Sequence, residues 1–289
     1  MAVRITVIAP GAMGSGIGGV LSRHGAEVLT WLDGRSAASA ARAAGAGMRD
    51  ASAAEVAGSD LILSIVPPGE AIGLARRLAD GLASAARKPV VVDCNALDVS
   101  TVREVGRVIG GAGAAFVDGG IIGGPPKAGA EGPSLYLSGD DAGRVGAILG
   151  RLGIKVRVIG GGVGAASALK MSYAGITKGI TAIASAMILG AERAGAAEAL
   201  LAELHESQKQ LVGRFARALP DMVPKAYRWE AEMREIASFL GDDPAGAAMF
   251  EGAAQLYARL AADERGERSE VGSLEAFARA LAGEAAKAA

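Results

Sequence analysis

Along the first part of the chain, short apolar runs alternate with longer stretches of helical spacing. Residues 5–10, 27–32 (EVLTWL), 60–66 (DLILSIV), 89–94 (PVVVDC), 114–118 (AAFVD), 135–138 and 155–159 are strand-sized. The near-continuous apolar character of DLILSIV and PVVVDC predicts strands covered on both faces. Between the runs, Met13, Ile17, Val20 and Leu21, and later Ile72, Leu74, Leu78 and Leu82, recur at three- and four-residue spacing. That spacing predicts helices ending near His24 and covering 70–86. Further helices are expected over 36–44, after a cap at Asp98 or Ser100, and over 141–152. After Gly160–Gly164 no β-rich run follows. Helices are predicted over 165–194, 197–219, 224–240, 244–265 and 274–287, with Pro220, Pro224 and Pro244 as punctuation. Alternating strands and helices followed by helices alone imply an α/β domain, 1–162, built on a doubly wound parallel sheet. An all-α domain, 163–289, follows it.

The first strand and helix are joined by Ala9-Pro10-Gly11-Ala12-Met13-Gly14. A strand, a small-residue turn and a helix in that order form a phosphate cradle. The backbone can approach an anion there, and the helix N-terminus offers unpaired N–H groups and the positive end of its dipole. This makes the sheet Rossmann-type, with Pro10, Gly11, Ala12, Met13 and Gly14 as cofactor-binding candidates. The second strand ends in Asp33-Gly34-Arg35-Ser36, where a Rossmann sheet meets the adenosine ribose. Asp33 suits the 2′-hydroxyl of NAD, whereas Arg35 and Ser36 suit the 2′-phosphate of NADP. NADP is the expected cofactor, with NAD the alternative.

Three other places carry candidate chemistry. Asn95 follows a buried strand at its C-terminal end, where ligands of open α/β sheets bind. Residues 119–132 (GGIIGGPPKAGAEG) are too rich in Gly and Pro for a packed element and read as a substrate-facing loop. On the long helix, Lys170, Tyr173, Ala174 and Thr177 share one face, at i, i+3, i+4 and i+7.

Net charge is −1, and no Lys/Arg run is interleaved with aromatics, so neither nucleic acid nor an anionic membrane is an expected partner. One cysteine, Cys94, excludes an internal disulfide and suggests a reducing, cytoplasmic setting; it reads as a small buried filler. His24 and His205 belong to no metal-ligand spacing, so no metal is expected. Residues 176–189 are weakly polar but include Lys178, and read as a buried helix, not a bilayer span. Lys178 reads as a helix-end or interface charge, and Glu232 and Glu235 as members of surface ion pairs. An all-α domain fed by one long helix often completes its core with a second copy, so a homodimer through that domain is expected.

In chain order these residues resemble the β-hydroxyacid dehydrogenases, the group that includes 6-phosphogluconate and 3-hydroxyisobutyrate dehydrogenases. Ala9 to Gly14 resembles the family's GLGxMG, and 60–67 the strand before its nicotinamide-side loop, which brings in Val66 and Pro67. Asp93-Cys94-Asn95-Ala96 is similar to D-x-G-N-S. Asp118-Gly119-Gly120-Ile121-Ile122-Gly123-Gly124 is similar to the substrate-loop pattern D-A-P-V-S-G-G. Gly164 to Lys170 is similar to G-x-G-x-x-x-K. The resemblance implies substrate contacts from Asp118, Gly119, Gly120, Ile122, Gly123 and Gly124. It also implies that Lys170 is the catalytic acid/base, assisted by Asn95; Tyr173, one helical turn along from Lys170, is a candidate to hydrogen-bond the substrate or hold the lysine. Ala9 replaces the first cofactor glycine, Ile122 a carboxylate-binding serine, and Ala166 the second glycine before the lysine. Tyr173 stands where the family usually has asparagine. These departures imply a divergent branch with a different substrate. The C-terminal part, with Tyr227-Arg228-Trp229 and Glu232-Met233-Arg234-Glu235, resembles a helical domain of phosphogluconate-dehydrogenase-like proteins.

The expected activity is NAD(P)-dependent hydride transfer between a nicotinamide and a small hydroxy acid or oxo acid, with the lysine as general acid/base. Imine reduction on the same architecture is a second reading. A non-catalytic dinucleotide-binding regulator is a third, although a pure binding module needs neither Lys170 nor Asn95.

Overall fold

Each apolar run read as a strand forms one in the computed structural model, which describes residues 2–126 and 131–287. The strands are β1 (Arg4–Ile8), β2 (Glu27–Thr30), β4 (Leu61–Ser64), β5 (Val90–Asp93), β6 (Ala115–Ile122), β7 (Ser134–Ser138) and β8 (Lys155–Val158). A two-residue β3 (Arg49–Asp50) is too short to leave a periodic signal. So is the five-residue helix α3 (Ala53–Ala57), which a Ser52/Glu55 capping box starts. The eight strands form one sheet in the order β3-β2-β1-β4-β5-β6-β7-β8. All neighbours are parallel except β6 and β7, which are antiparallel, so the sheet is mostly but not wholly parallel.

Helices α1 (Ala12–Arg23) and α6 (Ala142–Arg151) cover one face. There Ile17, Leu21, Val145 and Leu149 pack on Ile5, Val7, Leu63 and Val92. Helices α4 (Ala71–Ser84) and α5 (Val99–Gly111) cover the other, with Leu74, Leu78, Val102 and Ile109 against Ile8, Ile62 and Val91. Strands β4 and β5 are buried along their whole length, as strands between two helical layers must be. Edge strand β8 is mostly exposed and carries Lys155 and Arg157, charges that discourage pairing with another chain.

Helix α7 (Ala165–Arg193) follows, and the chain divides within it into compact units of Met1–Met171 and Ser172–Ala289. The first turns of α7 thus go with the sheet, whereas the sequence break sits in the glycines before it. In the helical unit the segment 197–219 is two helices, α8 (Ala197–Ser207) and α9 (Lys209–Met222). They part at Gln208, whose backbone leaves helical geometry (φ −132, ψ 46). Pro220 lies inside α9 and does not end it. Helices α10 (Ala226–Phe239) and α11 (Pro244–Arg265) pack together, as do α9 and α12 (Ser269–Lys287). Tyr257 of α11 is wholly buried, edge-on to Trp229 of α10 with ring centroids 5.2 Å apart.

Helix α7 is long and apolar enough to cross a bilayer by length and composition, and 44% of its most apolar stretch is buried in the fold. It is not the fully buried helix expected: Ile176, Ile183 and Met187 stay more than half exposed.

Candidate active site

Parallel register brings one row of residues level across the sheet: Ile8, Ser64, Asp93 and Asp118, continued by Ser138 on the antiparallel strand. Polar side chains at the ends of apolar strands are costly to bury unless hydrogen-bonded. Here all four polar members are buried and all are bonded. The predicted site segments leave the sheet at this edge.

The first is the cradle. Gly11 is the N-cap of α1; no side chain caps that helix and no acid sits in its first turn, so its terminus keeps its positive character. A Cβ on Gly14 would run into the Ala9 carbonyl, while one on Gly11 would meet nothing within 4 Å. Arg268 is the one non-glycine with positive φ among the described residues, so the turn does not require a glycine's positive φ at Ala9. Pro10 and Gly14 are buried, Ala12 is exposed, and Met13 packs on the sheet core. The turn fits a pyrophosphate.

At the end of β2, Asp33 and Gly34 line an open cavity of about 510 Å³ with Trp31, Asp50 and Ser52. Arg35 lies beside them and pairs with Glu70 at 3.1 Å. Ser36 is the N-cap of α2 (Ala37–Gly45), its hydroxyl accepting from the Ser39 N–H. Arg42, which no motif marked, donates from Nε to the Pro10 carbonyl at 2.9 Å and so braces the cradle.

Asn95 differs from expectation. Its Oδ1 accepts from the Val66 N–H at 2.6 Å, and its Nδ2 donates to Ser64 Oγ at 2.8 Å and to Asp93 Oδ2 at 2.7 Å. Every donor of the carboxamide is spent and the residue is buried. Asn95 therefore orients the loop of Val66 and the exposed Pro67 and does not reach toward a ligand. Burial pushes the Asp93 carboxyl up to about 7, against the hydrogen bonds from Asn95 and with the help of the Asp118 charge. Burial, and then the charges of Asp93 and Asp118, also push the Cys94 thiol well up, so it stays an inert filler.

The segment read as a loop from Gly119 is strand as far as Ile122, because it pairs with β7. This corrects three expected substrate contacts. Asp118 is wholly buried. Its Oδ2 accepts from Ser138 Oγ (3.0 Å), Gly164 N (2.9 Å) and Ser167 N (3.0 Å), and its Oδ1 from Ser167 Oγ (2.7 Å). It is a carboxylate cap for α7, delivered from a strand. Gly119 and Gly120 are buried too. A Cβ on Gly119 would lie 2.8 Å from the Asp93 carbonyl, and one on Gly120 2.8 Å from the Ala166 carbonyl and 3.3 Å from Lys170 Cβ. They are glycines because β5 and α7 come close. Ile122 is partly exposed at the strand end, and Gly123 (φ 125) and Gly124 are exposed beyond it. Pro126 lies over α1, where a Cβ on Gly16 would meet its ring at 2.7 Å. Residues 127–130 of the predicted loop lie outside the described residues.

Lys170 is thus held from two sides. Asp118 caps its helix, and its Nζ donates to the Ile121 carbonyl at 2.5 Å. Motif spacing found Lys170; it could not find Ser64, Ser138 and Ser167, whose only trace is a lone polar residue among apolar neighbours.

Residues 4–161 match the family described as the NAD binding domain of 6-phosphogluconate dehydrogenase. The chain belongs to that family. Residues 191–260 match a domain of unknown function, DUF1932. No curated protein matches the chain significantly. Among solved structures, the conserved protein MTH1747, of unknown function and described as similar to 3-hydroxyacid dehydrogenases, is 29% identical. The match covers 91% of this chain and 98% of that one, with a TM-score of 0.70. The 3-hydroxyisobutyrate dehydrogenase of Mycobacterium tuberculosis, solved with L-serine, is 22% identical over 98% of this chain and 99% of its own, with a TM-score of 0.72. A reductive aminase from Aspergillus terreus, in complex with NADPH4, cyclohexanone and allyl amine, is 19% identical, covers 96% and 100%, and has a TM-score of 0.56. The last two likenesses show the shared fold.

In the helical unit of this NAD-binding family member, Tyr173 is 50% exposed. Lys178 is not a helix-end charge: it pairs with Glu232, both largely buried, and lies 5.1 Å from the centre of the Trp229 ring.

Proposed function

We propose that this NAD(P)-dependent oxidoreductase interconverts a small hydroxy acid and its oxo acid, with Lys170 as the proton donor and acceptor. The observation that supports the reading is the double restraint on Lys170, through the Asp118 cap on α7 and the Nζ bond to Ile121. A solvated surface lysine needs neither. A nicotinamide bound in the cradle supplies the hydride. Pro10 to Gly14 hold its pyrophosphate, and Val66 and Pro67 its nicotinamide side. Arg35, released from Glu70, pairs with a 2′-phosphate, which makes NADP the preferred cofactor. In reduction the carbonyl carbon gains the hydride and its oxygen the Lys170 proton; in oxidation Nζ takes that proton back. Ile122, Gly123 and Gly124 border the substrate. Acid/base help of this kind is worth about 10² to 10⁴ in rate.

The test is a panel of hydroxy acids and oxo acids read by nicotinamide absorbance. Lys170→Ala is expected to lower kcat/KM by about 10² to 10⁴. A variant that keeps turnover within about tenfold of wild type would rule the donor out. The apolar side chain of Ile122, where a carboxylate-binding hydroxyl was expected, favours imine reduction as a second reading. A ketone-plus-amine arm in the same panel separates the two.

We also infer a homodimer through the helical unit. Ile183 and Met187 of α7 and Met249 of α11 are 57, 61 and 65% exposed, and they border an apolar groove of about 490 Å³. Contiguous apolar surface of this kind is typical of an interface.

A further inference from the structure

A second cavity, of about 380 Å³, lies wholly within the helical unit, between α7, α9 and α10. Its walls carry the cations Lys178, Arg214 and Arg217 and one acid, Asp221. The acid is engaged, since it accepts from Lys225 Nζ at 2.5 Å. Lys178 is balanced by Glu232 and backed by the Trp229 ring.

The guanidiniums are not balanced. Arg214 donates from one terminal nitrogen to the Thr177 carbonyl at 3.2 Å, and its Nε is buried with no hydrogen-bond partner. Neither Arg214 nor Arg217 forms an ion pair with a carboxylate among the described residues. Arg214 gives one hydrogen bond to a carbonyl and Arg217 pairs with no carboxylate among the described residues, so both guanidiniums keep donors for an incoming anion. Two forked donors beside an ammonium match the paired oxygens of a carboxylate or phosphate. The cavity exceeds what a bare ion needs and falls in the range that encloses a small organic molecule.

We infer that this cavity binds a small organic anion, its carboxylate or phosphate group held by Arg214 and Arg217. The inference is independent of the proposed reaction, because every residue it uses lies in the helical unit. Lys178 stands in the same cavity wall, where burial first, and then Arg228 and Lys225, hold its ammonium below the usual lysine range despite Glu232.

The full chain would be titrated, without nicotinamide cofactor, with inorganic phosphate, glycerol phosphate and malonate by calorimetry and thermal melting, at constant ionic strength set with chloride. Saturable binding and a raised melting temperature are expected for at least one of these anions. Preference for malonate assigns the site to carboxylates, and preference for the phosphates to phosphate esters. Arg214→Met, which keeps the side-chain stem, is expected to weaken binding about 10- to 100-fold, the loss of charge-assisted hydrogen bonds. Arg217→Met, at an exposed position, is expected to weaken it in the same direction and serves if the first variant does not fold. Binding that is unchanged in both variants would locate the anion elsewhere, the dinucleotide cradle included, and would overturn the inference. So would the absence of saturable binding by all three anions.

Discussion

Asp93 shows how much a single buried group can say. Its carboxyl sits at the end of β5 with no access to water, and burial lifts it to about 7. In the unfolded chain it titrates near its ordinary value of 3.8. The folded protein therefore binds this proton more tightly. The stability that results is complete below about pH 4 and is lost as pH rises through about 7. Wild type should accordingly lose melting temperature between pH 4 and 7 relative to Asp93→Asn, which keeps the shape and cannot ionise. Melting curves that stay parallel over that range, measured by calorimetry, would refute this. The neighbouring Asn95 carries a different lesson. Its position after a strand was legible; its engagement by Ser64 and Val66 was not, because those partners, at and just beyond the end of β4, are brought beside it by sheet register.

At the scale of elements, the contact that matters is β6 against the start of α7. Glycine is a poor strand former, so GGIIGG reads as loop until pairing with β7 is known. Once paired, Gly120 is the point where α7 touches the sheet. Gly120→Ala should push the helix away from the Ala166 carbonyl, costing about 1–3 kcal/mol as overpacking does and moving Lys170 off its mark. Gly124→Ala, with nothing within 4 Å of the added carbon, should leave the melting temperature nearly unchanged. Equal melting temperatures and equal turnover for the two variants would show that the close approach is unimportant. The cradle is the opposite case. Strand, turn and helix are contiguous there, so β1, Gly11, Gly14 and α1 were all readable from local spacing.

For the whole molecule, the exposed apolar face of the helical unit sets the expectation. Wild type should sediment as a dimer at micromolar concentration, and Ile183→Glu or Met187→Glu should release monomers, since a charge at such a face loses its solvation on association. A wild type that sediments as a monomer throughout that range would refute the dimer. By itself the sequence determined the alternation of strands and helices, the cradle, the lysine and the change to an all-helical tail, because side-chain periodicity and turn chemistry act over a few residues. Only the tertiary structure decided which polar strand ends face one another, that Asp118 caps a helix 46 residues away at Gly164, and that Arg214 faces a cavity shared with Lys178. Those outcomes depend on register and close packing between distant segments, where a buried donor must find its acceptor wherever the fold has brought one.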